Sequence, residues 1–311
     1  MNPKVSVVIP IYNPEPFFEE AFQSVIAQSY KNFEVIISDD SAIPHKYTNE
    51  YFLDYNNVIF VKNDGIKGIF PNLNNAIELA NGDFIQIFCQ DDVMESHFLA
   101  SQLLLLEKTD DKCGFGFCSY YRLIDGVKDV SETTVNTELF TLSGKEALEG
   151  YIERGCMPGN ISTIMIKKSA IEVCGGFEES FAYAGDFEFI VRLCIKGYGF
   201  AFSSAKNLSV RLHQNRASNT LNIYSLIKEL VIVYRTLLAE HETTNYTSKT
   251  VLYINQNVGV GLIKRLRGLP LKRLLRSLSQ FRYPLNPLIS IMMMLWIKLT
   301  KRKISISVKS F

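Results

Sequence analysis

Four runs of apolar, largely β-branched residues recur in the first ninety positions: "VSVVIPIY" (5–12), "FEVIISD" (33–39), "NVIFVKN" (57–63) and "DFIQIFC" (83–89). None keeps the strict polar–apolar alternation of a strand with one wet face, so each reads as a strand covered on both sides. The segments between them carry helical spacing. Phe17, Phe18, Ala21, Phe22, Val25 and Ile26 share one face of 16–30, with Pro16 suited to a first turn. A second helix is expected over 70–82, stopped by Gly82. Strand and helix alternate to about residue 107. That order predicts an α/β architecture, Rossmann-like, with a mostly parallel sheet and helices on both faces.

Each apolar run that closes a strand hands over to polar residues. Tyr12 and Asn13 follow the first, Asp39 and Asp40 end the second, and Asp91 with Asp92 follows the fourth. Open α/β sheets bind ligands along this carboxyl edge. Two adjacent carboxylates repel each other and resist leaving water. A divalent cation held against a phosphate would remove both objections. Mg²⁺ and Mn²⁺ take oxygen ligands, and one or two protein carboxylates suffice when phosphate and water complete the shell.

Beyond residue 110 the pattern is less regular. A strand is expected over 113–124 and a capped helix over 143–155. Strand, helix and a Gly-Gly turn should fill 161–177, and a helix 185–198 opens with Asp186 in its first turn. A strand pair is expected over 200–213, ending at His213, and two long helical stretches from about 220. Six cysteines fall in apolar runs without CxxC spacing, which suits small hydrophobes in a reducing, cytoplasmic compartment. No basic-then-apolar leader pattern opens the chain.

The blocks "VSVVIPIYNPEPFFEEAFQSVIAQSYKNFEVIISDDSA", "GIFPNLNNAIELANGDFIQIFCQDDVM", "NISTIMIKKSAIEVCGGFEESF", "AGDFEFIVRL" and "VRLHQNRAS" together resemble glycosyltransferase family 2. The members are GT-A-fold inverting enzymes that use nucleotide sugars. The likeness covers about residues 3–218. It implies a GT-A domain over 1–218, with nucleotide-sugar binding in about 1–107 and the acceptor side with the catalytic base in about 108–218. A basic helical extension, 219–311, would follow. By the resemblance, Pro10, Tyr12 and Asn13 line the base and ribose pocket. Asp39, with Asp40, accepts a hydrogen bond from the nucleobase, most often uracil. Leu73–Asn74 stands where an Arg-Asn pair meets the donor, with Asn72 two positions before Asn74. Asp91 faces the ribose and sugar, Asp92 coordinates Mg²⁺ or Mn²⁺, Asp186 is the general base, and His213 approaches the metal or diphosphate. Three departures stand out: Cys89 occupies the first acid position of the metal motif, Gly185 precedes Asp186 in place of Glu, and Leu73 replaces the Arg.

The chemistry is consistent with these residue types. Inverting transfer is a direct displacement that needs one base for the acceptor hydroxyl and an electrophile behind the leaving group, without an enzyme nucleophile. The helix dipole would lower the pKa of Asp186, so burial is expected to offset it. Glu188 is the rival base, and Arg211 or Arg216 the alternative phosphate partner.

The formal charge of +1 hides a strong asymmetry. Residues 243–311 hold 13 Lys/Arg and no acid, while the first 242 hold 20 basic and 32 acidic residues. The apolar run 288–297 is too short to span a bilayer. With Trp296, Lys298, Lys301, Arg302 and Lys303 nearby, it suits an interfacial helix on an anionic membrane surface; packing of the tail on the acidic body is the alternative. No motif supports nucleic acid as a partner. The expected activity is transfer of a sugar from a nucleotide-sugar donor, a UDP-sugar favoured, to a glycan or lipid-linked acceptor. It would serve surface polysaccharide synthesis at the inner membrane face. The competing readings are a catalytically inactive nucleotide-sugar-binding module, for which Cys89 argues, and a nucleotidyltransferase, which would want a Gly-rich basic loop where the chain has "PIYNPEP" (10–16).

Overall fold

The computed structural model describes residues 4–14, 16–131, 137–214, 222–240, 251–252, 254–266, 269–282 and 284–300. The first half alternates as its pattern demands: β1 (Val5–Ile11), α1 (Phe18–Ile26), β2 (Phe33–Asp39), β3 (Val58–Lys62), α2 (Ile69–Glu78) and β4 (Phe84–Ile87). There follow β5 (Val93–Met94), α3 (Phe98–Glu107), β6 (Cys113–Ile124), β7 (Val127–Asp129), β8 (Leu139–Leu142) and α4 (Gly144–Arg154). Then come β9 (Ile164–Lys167), α5 (Lys168–Cys174), α6 (Gly185–Ile195) and β10 (Gly199–Leu212). Helices α7 (Ile223–Glu240), α8 (Val260–Arg265), α9 (Leu271–Leu278) and α10 (Pro287–Thr300) complete the described chain.

All principal strands join one sheet in the order β3-β2-β1-β4-β9-β6-β10-β5, with β7 added to β6 and β8 to β10. The β3-β2-β1-β4 portion is parallel throughout, and β6 runs parallel to β10. Strand β9 is antiparallel to both neighbours, and β5, β7 and β8 join antiparallel, so the second half of the sheet is mixed. Strand order reverses at β1, which sends β2 to one side and β4 to the other. The carboxyl ends of β1, β2 and β4 therefore open on one crevice.

Side-chain alternation explains the continuous apolar runs. Val7, Ile9, Val35 and Ile37 face a core shared with Phe18, Phe22 and Leu99 of α1 and α3. Val8, Ile36, Ile85 and Ile87 face the other, shared with α2, α4, α6 and α7. Each fully buried side chain of this size stabilises the fold by roughly 1.5–3 kcal/mol. The same core extends to Leu262 and Leu285, so the C-terminal helices pack on it.

Four local expectations differ from the structure. The run 57–63 forms β3, which among the described residues is an edge of the sheet, and its Ile59 is exposed. Residues 200–213 form one long strand, in which register shifts against β6 take the place of a turn. After residue 220 the described helices are α7 of 18 residues, a π-helical segment Asn255–Gly259 that runs directly into α8, and the shorter α9 and α10, rather than two long stretches. Helix α2 ends at Glu78, four residues before Gly82. Gly82 has another reason to be glycine: a Cβ there would lie 2.6 Å from the Ser6 backbone nitrogen. Its amide donates to the Ser6 hydroxyl, which in turn donates to buried Glu34. Residues 301–311 and Arg216 lie outside the described residues, as does the side chain of Trp296.

Because that contact is with backbone, Gly82→Ala is expected to cost about 1–3 kcal/mol by overpacking. The expected readout is a lower urea midpoint with an unchanged slope.

Candidate active site

The opening strands deliver their polar ends as the sequence suggested. Tyr12 is 57% exposed, its side chain open to the crevice, while its backbone is held by both amide atoms of Gln90: N–H to Oε1 at 2.8 Å and C=O from Nε2 at 3.0 Å. Asn13 takes φ of 47°, a left-handed turn that asparagine tolerates, and its amide donates to the Ser41 hydroxyl. Pro10 sits half-buried in β1 beside Ser38.

Asp39 and Asp40 are buried and well supplied with donors. Asp39 accepts from Lys62 Nζ at 2.7 Å, His45 Nε2 at 3.1 Å and the Ser41 amide at 2.8 Å. Burial pushes its pKa up, but Lys62 and Ser41 outweigh that and hold the carboxyl below its ordinary range. A nucleobase could reach Asp39 only by displacing Lys62, whose side chain is half exposed. Asp40 accepts from Asn63 and from the Gly68 amide at 2.8 Å.

The two asparagines expected at the donor are occupied elsewhere. Asn72 is buried; its Oδ1 accepts from the Ser38 hydroxyl and its Nδ2 donates to the carbonyls of Ser38 and Ile11. It ties the carboxyl ends of β1 and β2 together. Asn74 donates to the Phe177 carbonyl at 2.9 Å and accepts from the Phe177 amide at 2.8 Å, clamping the Gly-Gly turn. A Cβ on Gly176 would meet Asn74 Oδ1 at 2.5 Å, which accounts for the second glycine. In this structure both amides bridge segments, Asn72 through backbone and the Ser38 hydroxyl, Asn74 through the Phe177 backbone and the Glu179 carboxylate.

The two carboxylates of the Asp91–Asp92 pair differ in burial and in their partners. Asp92, the expected metal ligand, is 1% exposed. Its Oδ2 accepts from the Ser162 hydroxyl at 2.6 Å and its Oδ1 from the Arg211 amide at 3.0 Å. Asp91, expected at the ribose, keeps about a fifth of its side chain exposed and places Oδ2 2.7 Å from Nε2 of His213, which is equally exposed. His213 stacks against Phe17 with ring centroids 4.7 Å apart. The ligand atoms of Cys89, Asp91 and Asp92 lie within 4.8 Å of one another. Carboxylate and imidazole donors suit a hard or borderline cation; the Cys89 thiol suits a soft one. Asp91 and His213 therefore fit a Mn²⁺-like ion, with Cys89 at the rim. Arg211 is buried, its guanidinium bonded to the Asp91 carbonyl and to Glu20 and stacked over Phe17, so it orders Asp91 rather than reaching for phosphate.

Asp186 opens α6, with Oδ1 accepting from the Phe187 amide. It is partly buried against Ile87, Ile161, Ile164 and Phe189, and Ile161 precedes Ser162 in the chain. Burial raises its pKa to about 6; the Phe187 amide pulls down, and the charge of Glu229 adds to the rise. Burial thus outweighs the backbone donors at the start of α6, the offset expected from the sequence. Glu188, the rival, is committed to Arg192 through two bonds, at 2.8 and 2.9 Å.

Sequence reasoning missed Ser162, Gln90 and Glu229. Nothing local distinguishes a serine inside "NISTIM" or the glutamine before an acid pair. Glu229 had a signal, a single acid ahead of the apolar run "LVIVY".

Comparison with known proteins bears on the family and the fold. Residues 6–159 match the family described as Glycosyl transferase family 2. An uncharacterized glycosyltransferase of Rickettsia typhi is 28% identical over 231 residues, covering 70% of this chain and 67% of that protein. The UDP-Glc:alpha-D-GlcNAc-diphosphoundecaprenol beta-1,3-glucosyltransferase WfaP of Escherichia coli is 29% identical over 117 residues, 38% of this chain and 46% of that protein. Among solved structures, S. aureus TarS 1–349 in complex with UDP-GlcNAc aligns with a TM-score of 0.67 at 14% identity, covering 89% of this chain and 79% of that one. The mannosyltransferase PcManGT from Pyrobaculum calidifontis, in complex with GDP-Man and Mn²⁺, aligns at 0.54 and 15% identity over 97% of this chain and 89% of that one. At such identities the two structures speak to the fold, which is GT-A.

The raised pKa of Asp186 has a thermodynamic consequence. The folded chain holds a proton up to about pH 6 that the unfolded chain releases near the ordinary value of 3.8. The cost of ionising it in the fold grows as pH rises between these values and is complete above 6. Asp186→Asn should therefore be more stable than the parent at pH 8 by on the order of 3 kcal/mol, and nearly equal at pH 4. Urea unfolding at the two pH values reads this difference.

Proposed function

Because the chain belongs to glycosyl transferase family 2 over residues 6–159, we propose that it transfers a sugar with inversion from a UDP-sugar to a lipid-linked or glycan acceptor at a membrane surface. The observation that carries the reading is the Asp91–His213 pair at the carboxyl end of β4, next to Cys89 and Asp92. The uridine and the lipid-linked acceptor are supported by what the relatives' names describe: TarS with UDP-GlcNAc, and the E. coli glucosyltransferase with a GlcNAc-diphosphoundecaprenol.

In this reading Pro10, Tyr12 and Asn13 form the wall for base and ribose, and Asp39 accepts from the base after Lys62 moves aside. Asp91 and His213 would hold a divalent cation, Mn²⁺ before Mg²⁺ because one donor is an imidazole. When bound, the cation supplies positive charge to the diphosphate leaving group. Asp92 stays buried and keeps Asp91 aimed. Asp186, unprotonated above about pH 6, takes the proton of the acceptor hydroxyl as its oxygen attacks the anomeric carbon and the nucleoside diphosphate departs. The expected setting is surface polysaccharide synthesis.

Membrane contact is proposed for the C-terminal helices. Among the described residues no helix is long and apolar enough to cross a membrane. Leu288, Met292 and Leu295, at i, i+4 and i+7 of α10, are all exposed. On α9, exposed Leu275 is flanked by exposed Lys272, Arg273 and Arg276. An apolar stripe beside basic residues suits an anionic lipid interface.

Two measurements test these assignments. Calorimetric titration of UDP should give binding with Mn²⁺ and none with EDTA. Asp91→Asn should abolish the metal-dependent part in a chain that still melts normally, whereas Asp92→Asn should instead unfold at lower denaturant, since an amide there turns an NH₂ toward the Ser162 hydroxyl or the Arg211 amide. Metal-dependent UDP binding that survives in Asp91→Asn would reject Asp91 as ligand. For the tail, the parent should cosediment with phosphatidylglycerol vesicles and not with phosphatidylcholine. The triple change Lys272→Glu, Arg273→Glu, Arg276→Glu should release it; undiminished binding would reject the basic face.

A further inference from the structure

Helix α7 lies outside the family-matched segment, yet it reaches the helix that carries Asp186 at two points. Glu229 is 7% exposed and aims its carboxylate at the chain just before α6. Its Oε1 accepts from the Ala182 amide at 3.0 Å, and its Oε2 from the amides of Tyr183 at 2.9 Å and Ala184 at 2.8 Å. Five residues on, Tyr234 packs its ring edge-on against Phe187, centroids 5.6 Å apart, on the residue next to Asp186. Three consecutive backbone donors converging on one buried carboxylate form an anion nest filled from within the chain.

The surroundings of Asp186 give this contact chemical weight. It lines a small cavity together with Ile87, Ile161, Ile164 and Ile166 of β4, the 161–163 turn and β9. Cys156 offers a thiol whose own pKa burial pushes well up, and which is therefore neutral. On its own helix, Glu188 is neutralised by Arg192. Glu229 is thus the nearby acid in this set without a basic side chain bonded to it. It absorbs the backbone donors leading into α6, whose positive field would otherwise act on Asp186, and it adds a negative charge of its own.

We propose that Glu229 is a positioning residue for the transfer reaction: it fixes the backbone of Ala182–Ala184 and so sets the place and the charge environment of Asp186. The proposal rests on the reading of Asp186 as the base. It also makes α7 part of the catalytic apparatus rather than an appendage to it. The raised pKa of Asp186, to which Glu229 contributes, agrees with this.

The test uses the full chain and needs no substrate for its first half. Carboxyl-detected ¹³C titration of aspartate-labelled protein should show a group with a midpoint near 6, assigned by its loss in Asp186→Asn. In Glu229→Gln the midpoint should fall by about one unit. The amides of Ala182–Ala184 should exchange at least tenfold faster, because a neutral amide oxygen replaces the carboxylate. Glu229→Asp keeps the charge with a shorter reach, so its midpoint should stay near the parent's while exchange still quickens. With UDP-glucose or UDP-GlcNAc and a GlcNAc-diphosphoundecaprenol acceptor, Glu229→Gln should lower kcat about tenfold or more and leave the donor KM unchanged. An unmoved midpoint with parental exchange would overturn the proposal. So would a Glu229→Gln chain that fails to fold, since that would make Glu229 a stability residue only. If Asp186→Asn retains turnover while the Glu229→Gln effects on midpoint and exchange persist, the base assignment fails and the structural coupling stands.

Discussion

The buried carboxylate of Asp92 is the contact on which the site depends. It joins three segments far apart in the chain: its own turn after β4, the Ser162 hydroxyl before β9, and the Arg211 amide near the end of β10. Burying a charge is costly unless it is bonded, and each charge-assisted bond returns about 1.5–3 kcal/mol. With both oxygens engaged, Asp92 fixes the ends of β4 and β10 against each other. Asp91 and His213 sit directly on those two ends, so their 2.7 Å contact follows from the buried one beneath it. Arg211 reinforces the arrangement by bonding the Asp91 carbonyl.

Similar clamps hold the rest of the crevice. Asn72 binds the ends of β1 and β2, Gln90 pins the backbone of Tyr12, and Asn74 holds the Gly-Gly turn. In each case a side-chain amide satisfies buried or half-buried backbone groups that a strand end leaves without partners. Tyr12 and Lys62 keep their side chains exposed at this edge. Cys89 takes part in the Asp92–Ser162 clamp through its backbone. Its backbone amide, bonded to Ser162, belongs to the clamp, while its side chain is at the rim of the acid pair.

Charge placement separates the two halves of the chemistry. The cation candidates lie where β4 and β10 end. The base candidate lies at the start of α6, against isoleucines from β4, the 161–163 turn and β9. One acid is kept ionised by its donors and the other is pushed toward neutrality by burial. Asp39 is held by Lys62, His45 and Ser41, whereas Asp186 has the Phe187 amide among isoleucines, and that difference sets the opposite directions of their pKa values.

Much of this was legible in the residues themselves. Apolar runs without alternation dictate strands covered on both faces, and their polar ends dictate the edge where ligands meet the sheet; both are consequences of hydrophobic burial over a few consecutive residues. The acids, His213 and Asp186 could be singled out from the ordered blocks they sit in. What the chain order could not convey is which of two adjacent carboxylates faces inward, because that is decided by donors 70 and 119 positions away. Nor could it assign Asn72 and Asn74 to backbone clamps, show 57–63 to be an edge, or bring Glu229 to the foot of α6. Local pattern is written in nearest neighbours and is read from sequence. Hydrogen-bond partnership and electrostatic environment arise between distant segments, and only the tertiary structure decides them.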